Sequence, residues 1–202
     1  GVATTTVLFV SSRTGHMLSR VERRWLPLMR ALLAAEVNVV LVATPRGPLV
    51  APARALGVTV ASYRVDRLNI LVTRNRLRAL LERERPTVAF ASGYHADVPL
   101  RLAARGLPVK VVSTVHCGSF TGHGIGALVA WGRNHMEQRT AGRVDAVLAD
   151  CAGVTDLLVA RGIAPERVHV VAPGVDIGEV AREAASAGPA SDVRPRVGYA
   201  GA

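Results

Sequence analysis

The chain has 202 residues, of which 50% are apolar and 20% are charged, and its formal net charge is +10. This length allows one α/β domain with a real core but not two full domains, and the composition excludes a disordered or low-complexity protein. The positive charge comes almost entirely from scattered arginines with few aromatic residues among them, so a nucleic-acid partner is not expected.

Short apolar runs alternate along the chain with stretches that have helical spacing, and this pattern predicts a doubly wound parallel sheet of about seven strands. Most of the runs are continuously apolar, as expected when helices cover both faces of the sheet. The predicted strands are Val7–Ser11, Val37–Ala43, Val58–Tyr63, Thr87–Ala91, Val109–Val115, Ala146–Ala149 and Val168–Ala172.

Helices are predicted between these strands. In the first, an apolar stripe contains Val21, Trp25 and Leu33, and Pro27 either bends the helix or marks its first turn. The other predicted helices are Asn75–Glu84, Asp97–Ala104, Ile125–Thr140, Val154–Ala160 and Ile177–Ala185.

The end of the chain differs from the rest in composition. Residues 186–196 are small, polar or proline and read as a linker, and residues 197–202 look like a new strand that runs into a glycine turn. We therefore predict one domain over residues 1–185, a linker over 186–196, and the first strand of a truncated second domain over 197–202.

In open parallel sheets, ligands bind beyond the carboxyl ends of the strands. The loop after the first strand contains Gly15, where backbone N–H groups and a helix N-terminus could approach a phosphate, with Arg13 and His16 assisting. A plain turn between strand and helix is the alternative. No histidine or cysteine pair has the usual spacing of a metal site, so neither a metal nor a cofactor is expected.

Several motifs occur in an order that resembles the amino-terminal domain of the group 1 glycosyltransferases, which are retaining enzymes with the GT-B fold. The resemblance covers nearly the whole chain. It rests on the first helix around Arg24–Ala35, on Ser92-Gly-Tyr-His95, on Val112-Ser-Thr-Val-His116, on Arg143–Asp150, and most clearly on Val168-His-Val-Val-Ala-Pro-Gly-Val-Asp176.

The resemblance implies that a sugar is transferred from a nucleotide-sugar donor to an acceptor, which is a small molecule, a lipid or a glycan. It implies that His116 bonds the transferred sugar and that the leaving phosphate acts as the base. Tyr94 and His95 lie on the neighbouring loop and suit acceptor binding, because an aromatic face packs on sugars and a histidine bonds hydroxyl groups. A buried structural histidine is the alternative for His116. The glutamate pair that the family carries in its second domain is missing here, so the chain alone is expected to be inactive.

Two other functions stay open. A nucleotide-sugar epimerase shares the fold, and a non-catalytic module that binds sugars or anions belongs to a different class. No apolar run approaches the roughly 20 residues of a membrane span and no signal peptide is visible, so we expect a cytoplasmic protein. The basic charge leaves peripheral membrane contact open. Cys117 and Cys151 suit a reducing compartment, as buried thiols.

Overall fold

A computed structural model describes residues 5–13, 18–63, 65, 69–115, 127–172, 174 and 177–186 of the chain. The residues group into two compact units, Gly1–Ala172 and Pro173–Ala202. In the second unit, the described residues form one helix, and the new strand expected over residues 197–202 lies outside the described part. The division of the sequence at residue 185 stays a prediction.

The described residues form one parallel sheet, and its strands run in the order β3-β2-β1-β4-β5-β6-β7. This arrangement confirms the predicted Rossmann-like α/β fold, and each predicted strand overlaps an observed one. The strands are β1 (Thr6–Val10), β2 (Asn38–Ala43), β3 (Thr59–Ser62), β4 (Val88–Ser92), β5 (Lys110–Val115), β6 (Ala146–Ala149) and β7 (Val168–Val170).

Helices connect the strands and lie on both faces of the sheet. They are α1 (Arg20–Ala34), α2 (Val50–Ala55), α3 (Ile70–Glu84), α4 (Tyr94–Ala103), α5 (Ala127–Ala141) and α6 (Thr155–Val159). The second unit contains α7 (Ile177–Ser186). Short 3₁₀ turns at Ala152–Val154 and Pro165–Arg167 flank α6. Because every strand pair is parallel, each connection runs from the carboxyl end of one strand back to the amino end of the next, as the doubly wound fold requires.

The side chains of β1 divide between two hydrophobic clusters, one on each face of the sheet. Leu8 and Val10 pack with apolar residues of α3 and α4. Val7 and Phe9 pack on the opposite face with Trp25 of α1 and other apolar residues of α1 and α2. All of β1 is buried, so this strand lies at the centre of the core, and the alternation of its side chains follows from the period of two in a strand.

A third apolar cluster lies under β6 and includes Val147 and Leu158. Cys151 packs against it as a half-buried free thiol, whereas Cys117 lies outside the described residues. Arg24 Nη1 donates to Asp150 Oδ1 at 2.7 Å. This ion pair joins the first turns of α1 to the carboxyl end of β6, although the two residues are far apart in sequence.

Helix α1 begins at Arg20 because Ser19 and Glu22 form a capping box. The Ser19 hydroxyl accepts the backbone N–H of Glu22, and the Glu22 carboxylate accepts the backbone N–H of Ser19. Pro27 therefore lies inside the helix. The alternative in which Pro27 marks the first turn is wrong, since the cap lies eight residues before it.

Two further differences from the prediction concern helices α3 and α2. Helix α3 begins at Ile70 rather than at Asn75, because Asn69 Oδ1 accepts the backbone N–H groups of Leu71 and Val72. Helix α2 was not predicted at all. Its six residues include Pro52 and small side chains, which give too short a pattern for helical spacing to be recognised.

Candidate functional site

The middle of the sheet offers the natural ligand position, because β1 and β4 are neighbours whose connections leave to opposite sides. Arg13 follows β1, and Tyr94 and His95 follow β4. Gly15, His16 and His116 lie outside the described residues. The described part of the site is therefore formed by the start of the first loop and by the facing surfaces of α4 and α5.

Arg13 lies near the start of the first loop, which follows β1, and its side chain is 57% exposed. Its Nε lies 3.5 Å from Glu22 Oε2. Its carbonyl oxygen accepts a hydrogen bond of 2.7 Å from the Thr44 hydroxyl. The backbone of Arg13 is thus fixed to the loop after β2, while its guanidinium keeps access to solvent.

Glu22 holds the first loop in place through hydrogen bonds, a role that we did not predict from the sequence. The residue is only 2% exposed, and its carboxylate accepts hydrogen bonds from the Ser11 hydroxyl at 2.7 Å and the Ser19 backbone at 2.9 Å. The pattern Ser19-x-x-Glu22 was the available signal, because it is the sequence form of a capping box. The network ties the end of β1 to the start of α1 and so holds the loop at both ends.

Tyr94 and His95 are the first two residues of α4, so their prediction as loop residues is wrong. The helix starts three residues earlier than expected because Gly93 adopts φ 80° and ψ 152°, a conformation that favours glycine. Its carbonyl oxygen accepts the backbone N–H groups of Ala96 and Asp97. The two aromatic rings meet edge to face at 5.3 Å, which orients them at the top of the helix.

Arg133 of α5 lies over the Tyr94 ring, with its guanidinium carbon 4.5 Å from the ring centroid. This cation–π contact joins the first turn of α4 to the middle of α5. Burial raises the pKa of the Tyr94 phenol, while the charge of Arg133 lowers it and that of Glu137 raises it. The phenol is therefore a neutral hydroxyl at physiological pH, able to donate one hydrogen bond and accept others.

Glu137 lies one turn after Arg133 on α5 and faces a group of charged side chains. Burial raises the pKa of its carboxyl, and the negative charge of Asp97 acts in the same direction. The guanidinium groups of Arg101, Arg133 and Arg161 lower the pKa without cancelling the rise. From the sequence alone we assigned Glu137 no role in the site, because its neighbours belong to elements that meet only in the fold.

The Glu137→Gln variant is expected to be more stable than the wild type at pH 7. Because the folded-state pKa is raised above the ordinary value of 4.5, the folded state binds more protons than the unfolded state just above that value. Wild-type stability should therefore fall as pH rises from about 4.5 through the raised pKa. The amide removes this contribution, so urea unfolding of the variant should show a flatter pH profile.

The matched control is Glu166→Gln, which changes an exposed carboxylate in the turn before β7. Its pH profile should parallel that of the wild type. A Glu137→Gln variant that is less stable than the wild type at pH 7 would show that the ionised carboxylate is needed to hold the nearby arginines.

Trp131 supplies an exposed aromatic surface one turn before His135 on α5. The Trp131 side chain is 65% exposed, and its ring stacks on His135 at 5.3 Å with 13° between the planes. An exposed indole held in place by a stacked neighbour is suited to packing against the apolar face of a sugar ring or a lipid chain. We did not predict this pair, although aromatic residues four positions apart share one helix face.

Other site types find no support in the described part of the chain. It holds no group of three or more histidine, cysteine or acidic side chains placed to bind a metal ion. Across the same described residues, no helix combines the length and apolar character that crossing a bilayer requires.

Comparisons with known proteins agree with this architecture. The family model for Glycosyltransferase Family 4 matches residues 21–179, which is most of the chain. No curated protein sequence matches this chain.

Solved structures with the same fold include a glycosyltransferase from Rickettsia africae, with a TM-score of 0.65 and 13% identity over 91% of this chain and 49% of that one. The Anabaena protein HepE in complex with UDP-glucose has a TM-score of 0.63 and 13% identity over 86% and 45%.

A candidate UDP-N-acetylglucosamine 2-epimerase from Listeria monocytogenes has a TM-score of 0.60 and 15% identity over 84% and 45%. At these identities the likeness concerns the fold. The chain spans about half the length of each of these solved structures.

Proposed function

Because this chain belongs to Glycosyltransferase Family 4, we propose that it is the acceptor-binding half of an enzyme that transfers a sugar from a nucleotide-sugar donor with retention. The observation that carries the proposal is the contact of Arg133 with Tyr94 at the carboxyl ends of the central strands. It combines an aromatic face, a phenol and a fixed positive charge where this fold binds ligands.

The acceptor would lie against the surface formed by the first turn of α4 and the exposed side of α5. The ring of Tyr94 can pack against a sugar ring, and His95 can exchange hydrogen bonds with its hydroxyl groups. Arg133 supplies a positive charge for a phosphate or carboxylate on the acceptor. The excess of arginine in the chain favours an anionic acceptor, whether that is a small molecule, a lipid or a glycan.

The donor would approach from the side of the first loop. HepE, which has the same fold, was solved with UDP-glucose, and this supports a nucleotide sugar as the donor class. Arg13, with its exposed guanidinium, lies where it could meet a phosphate, and we propose that Gly15 and His16 line the same path. His116, which follows β5 directly, is proposed to bond the transferred sugar, and the leaving phosphate is proposed to act as the base. No metal or cofactor takes part in the proposed reaction.

The glutamate pair that would grip the donor is not found in this sequence, so turnover is proposed to need a second domain. A nucleotide-sugar epimerase is the second candidate function, and it is favoured by the fold shared with the Listeria protein. The two candidates differ in their products, because an epimerase returns an altered nucleotide sugar and transfers nothing to an acceptor.

Arg133→Ala in the full-length enzyme is expected to raise KM for the acceptor about tenfold, the usual effect of losing one charge-assisted contact. The turnover number should change little, since Arg133 is proposed to bind rather than to react. Initial rates at a fixed donor concentration, measured over a range of acceptor concentrations, separate the two quantities.

Arg139→Ala is the matched control, because Arg139 is an exposed arginine near the end of the same helix. Its KM should equal that of the wild type. If both variants raise KM equally, only the net charge matters and the acceptor does not bind at the Tyr94–Arg133 contact.

A further inference from the structure

A cavity of about 300 Å³ opens at the amino ends of β5 and β6. The candidate acceptor site lies at the other end of the strands, at their carboxyl ends. The walls of the cavity come from the last turns of α4, from the loop that leads into β5, and from the turn before β6. Four basic residues and one acidic residue line it: Arg101, Arg105, Lys110, Arg143 and Asp145. The basic excess inside a concave surface sets this cavity apart from a merely solvated basic face.

Arg101 is one of the residues that line the cavity, and it is 6% exposed. Its Nη2 donates a hydrogen bond of 2.9 Å to the Ser113 hydroxyl. Its Nε has no acceptor among the described residues. Glu137, on the α5 side, lies close enough to be influenced by the charge of Arg101. A buried guanidinium with an unused N–H is unfavourable unless an acceptor reaches it, and an anion in the cavity would supply one.

The single acidic residue of the cavity is already engaged. The carboxylate of Asp145 accepts hydrogen bonds of 2.9 Å from Lys110 Nζ and from the backbone N–H of Val111. By contrast, no described residue accepts a hydrogen bond from the side chain of Arg105 or Arg143. After the ion pair is set aside, the lining offers the guanidinium groups of Arg105 and Arg143 and the unused Nε of Arg101.

We propose that this cavity, formed around Arg101, Arg105 and Arg143, binds a phosphate group. Guanidinium groups present pairs of parallel N–H donors that match phosphate oxygens, and several of them around one opening favour a doubly charged anion. A soluble phosphate and the headgroup of an anionic lipid share this chemistry, so the experiment must distinguish them.

The phosphate site is separate from the proposed transfer reaction but is joined to it by α4. Tyr94 and Arg101 lie seven residues apart on that helix, a rise of about 10 Å. A phosphate on Arg101 and an acceptor on Tyr94 would therefore contact the two ends of one rigid element. Binding at the cavity does not require turnover, so its failure and that of the proposed function can be told apart.

The test measures binding of inorganic phosphate to the 202-residue chain by calorimetry, with ionic strength held constant by KCl. Co-sedimentation with vesicles of phosphatidylglycerol or of phosphatidylcholine forms the second arm. We expect binding of phosphate or of phosphatidylglycerol vesicles, and a loss of at least tenfold in the double variant Arg105→Gln/Arg143→Gln. Both substitutions lie at the rim of the cavity, so the fold should persist, as circular dichroism will check.

The matched control is Arg30→Gln/Arg54→Gln, which removes the same charge from exposed positions on α1 and α2. Its affinity should stay within about twofold of that of the wild type. Binding in the calorimeter identifies a soluble phosphate, and binding to phosphatidylglycerol alone identifies a lipid headgroup. The proposal is overturned if neither probe binds, or if the rim variant and the control variant lose affinity equally.

Discussion

Phe9→Ala is expected to lower the free energy of unfolding by about 4 kcal/mol, the typical cost of deleting a buried aromatic ring. Phe9 is fully buried in β1, at the centre of the sheet. Its ring stacks on Phe90 at 5.1 Å and meets Trp25 of α1 at 5.3 Å. Alanine would leave a cavity between a strand and the helix that carries the capping box. Urea unfolding followed by circular dichroism measures the effect.

Phe9→Leu is the control, because it keeps most of the apolar volume and should cost roughly 1.5 kcal/mol. A loss below about 1 kcal/mol in Phe9→Ala would mean that the cluster collapses onto the cavity without strain. In that case the contact of β1 with α1 would not be the firm support of the first loop that the structure describes.

His116→Ala in the full-length enzyme is expected to lower the turnover number about a hundredfold, the usual cost of losing one hydrogen-bond donor aimed at the reacting centre. His116 directly follows Val115, the last residue of β5. The neighbouring strand β4 leads directly to Tyr94 and the proposed acceptor surface. The measurement is nucleotide release at saturating donor and acceptor, together with the melting temperature to check that the fold is kept.

His169→Ala serves as the matched control, because His169 is an exposed histidine in the edge strand β7. Its turnover should equal that of the wild type. If His116→Ala keeps its turnover while its melting temperature drops, His116 is a buried structural histidine and has no part in the reaction.

The sheet could be predicted because its strands are nearly continuous apolar runs with helical spacing between them. Val39, Leu41 and their neighbours in β2 are apolar whichever face they point to, so burial on both faces leaves a clear pattern. The family resemblance further predicted that the chain is the amino-terminal domain of a glycosyltransferase with the GT-B fold. The match to Glycosyltransferase Family 4 confirms that recognition.

Helix starts were harder to predict, because single side chains and single backbone angles decide them. Asn69 caps α3, and the positive φ of Gly93 lets α4 begin with Tyr94. Neither residue stands out by hydrophobic spacing. A polar residue that can cap a helix and a glycine with positive φ also occur in many loops, so neither residue marks a helix start by itself.

The site could be predicted only in part, since its contacts join residues that are distant in sequence. Tyr94 was selected because it follows a strand, but Arg133 and Glu137 face it from another helix, to which the sequence assigned no role in the site. The same holds for Arg101, which looks like a surface residue of α4 until β5 places Ser113 beside its guanidinium.

The most direct test of the proposed function is to incubate the full-length protein with a panel of nucleotide sugars, with and without candidate acceptors, and to follow both nucleotide and sugar by NMR. We predict that one donor is consumed only when an acceptor is present, and that the product keeps the anomeric configuration of the donor. Conversion of a nucleotide sugar into its epimer without any acceptor, or consumption of no donor at all, would contradict it.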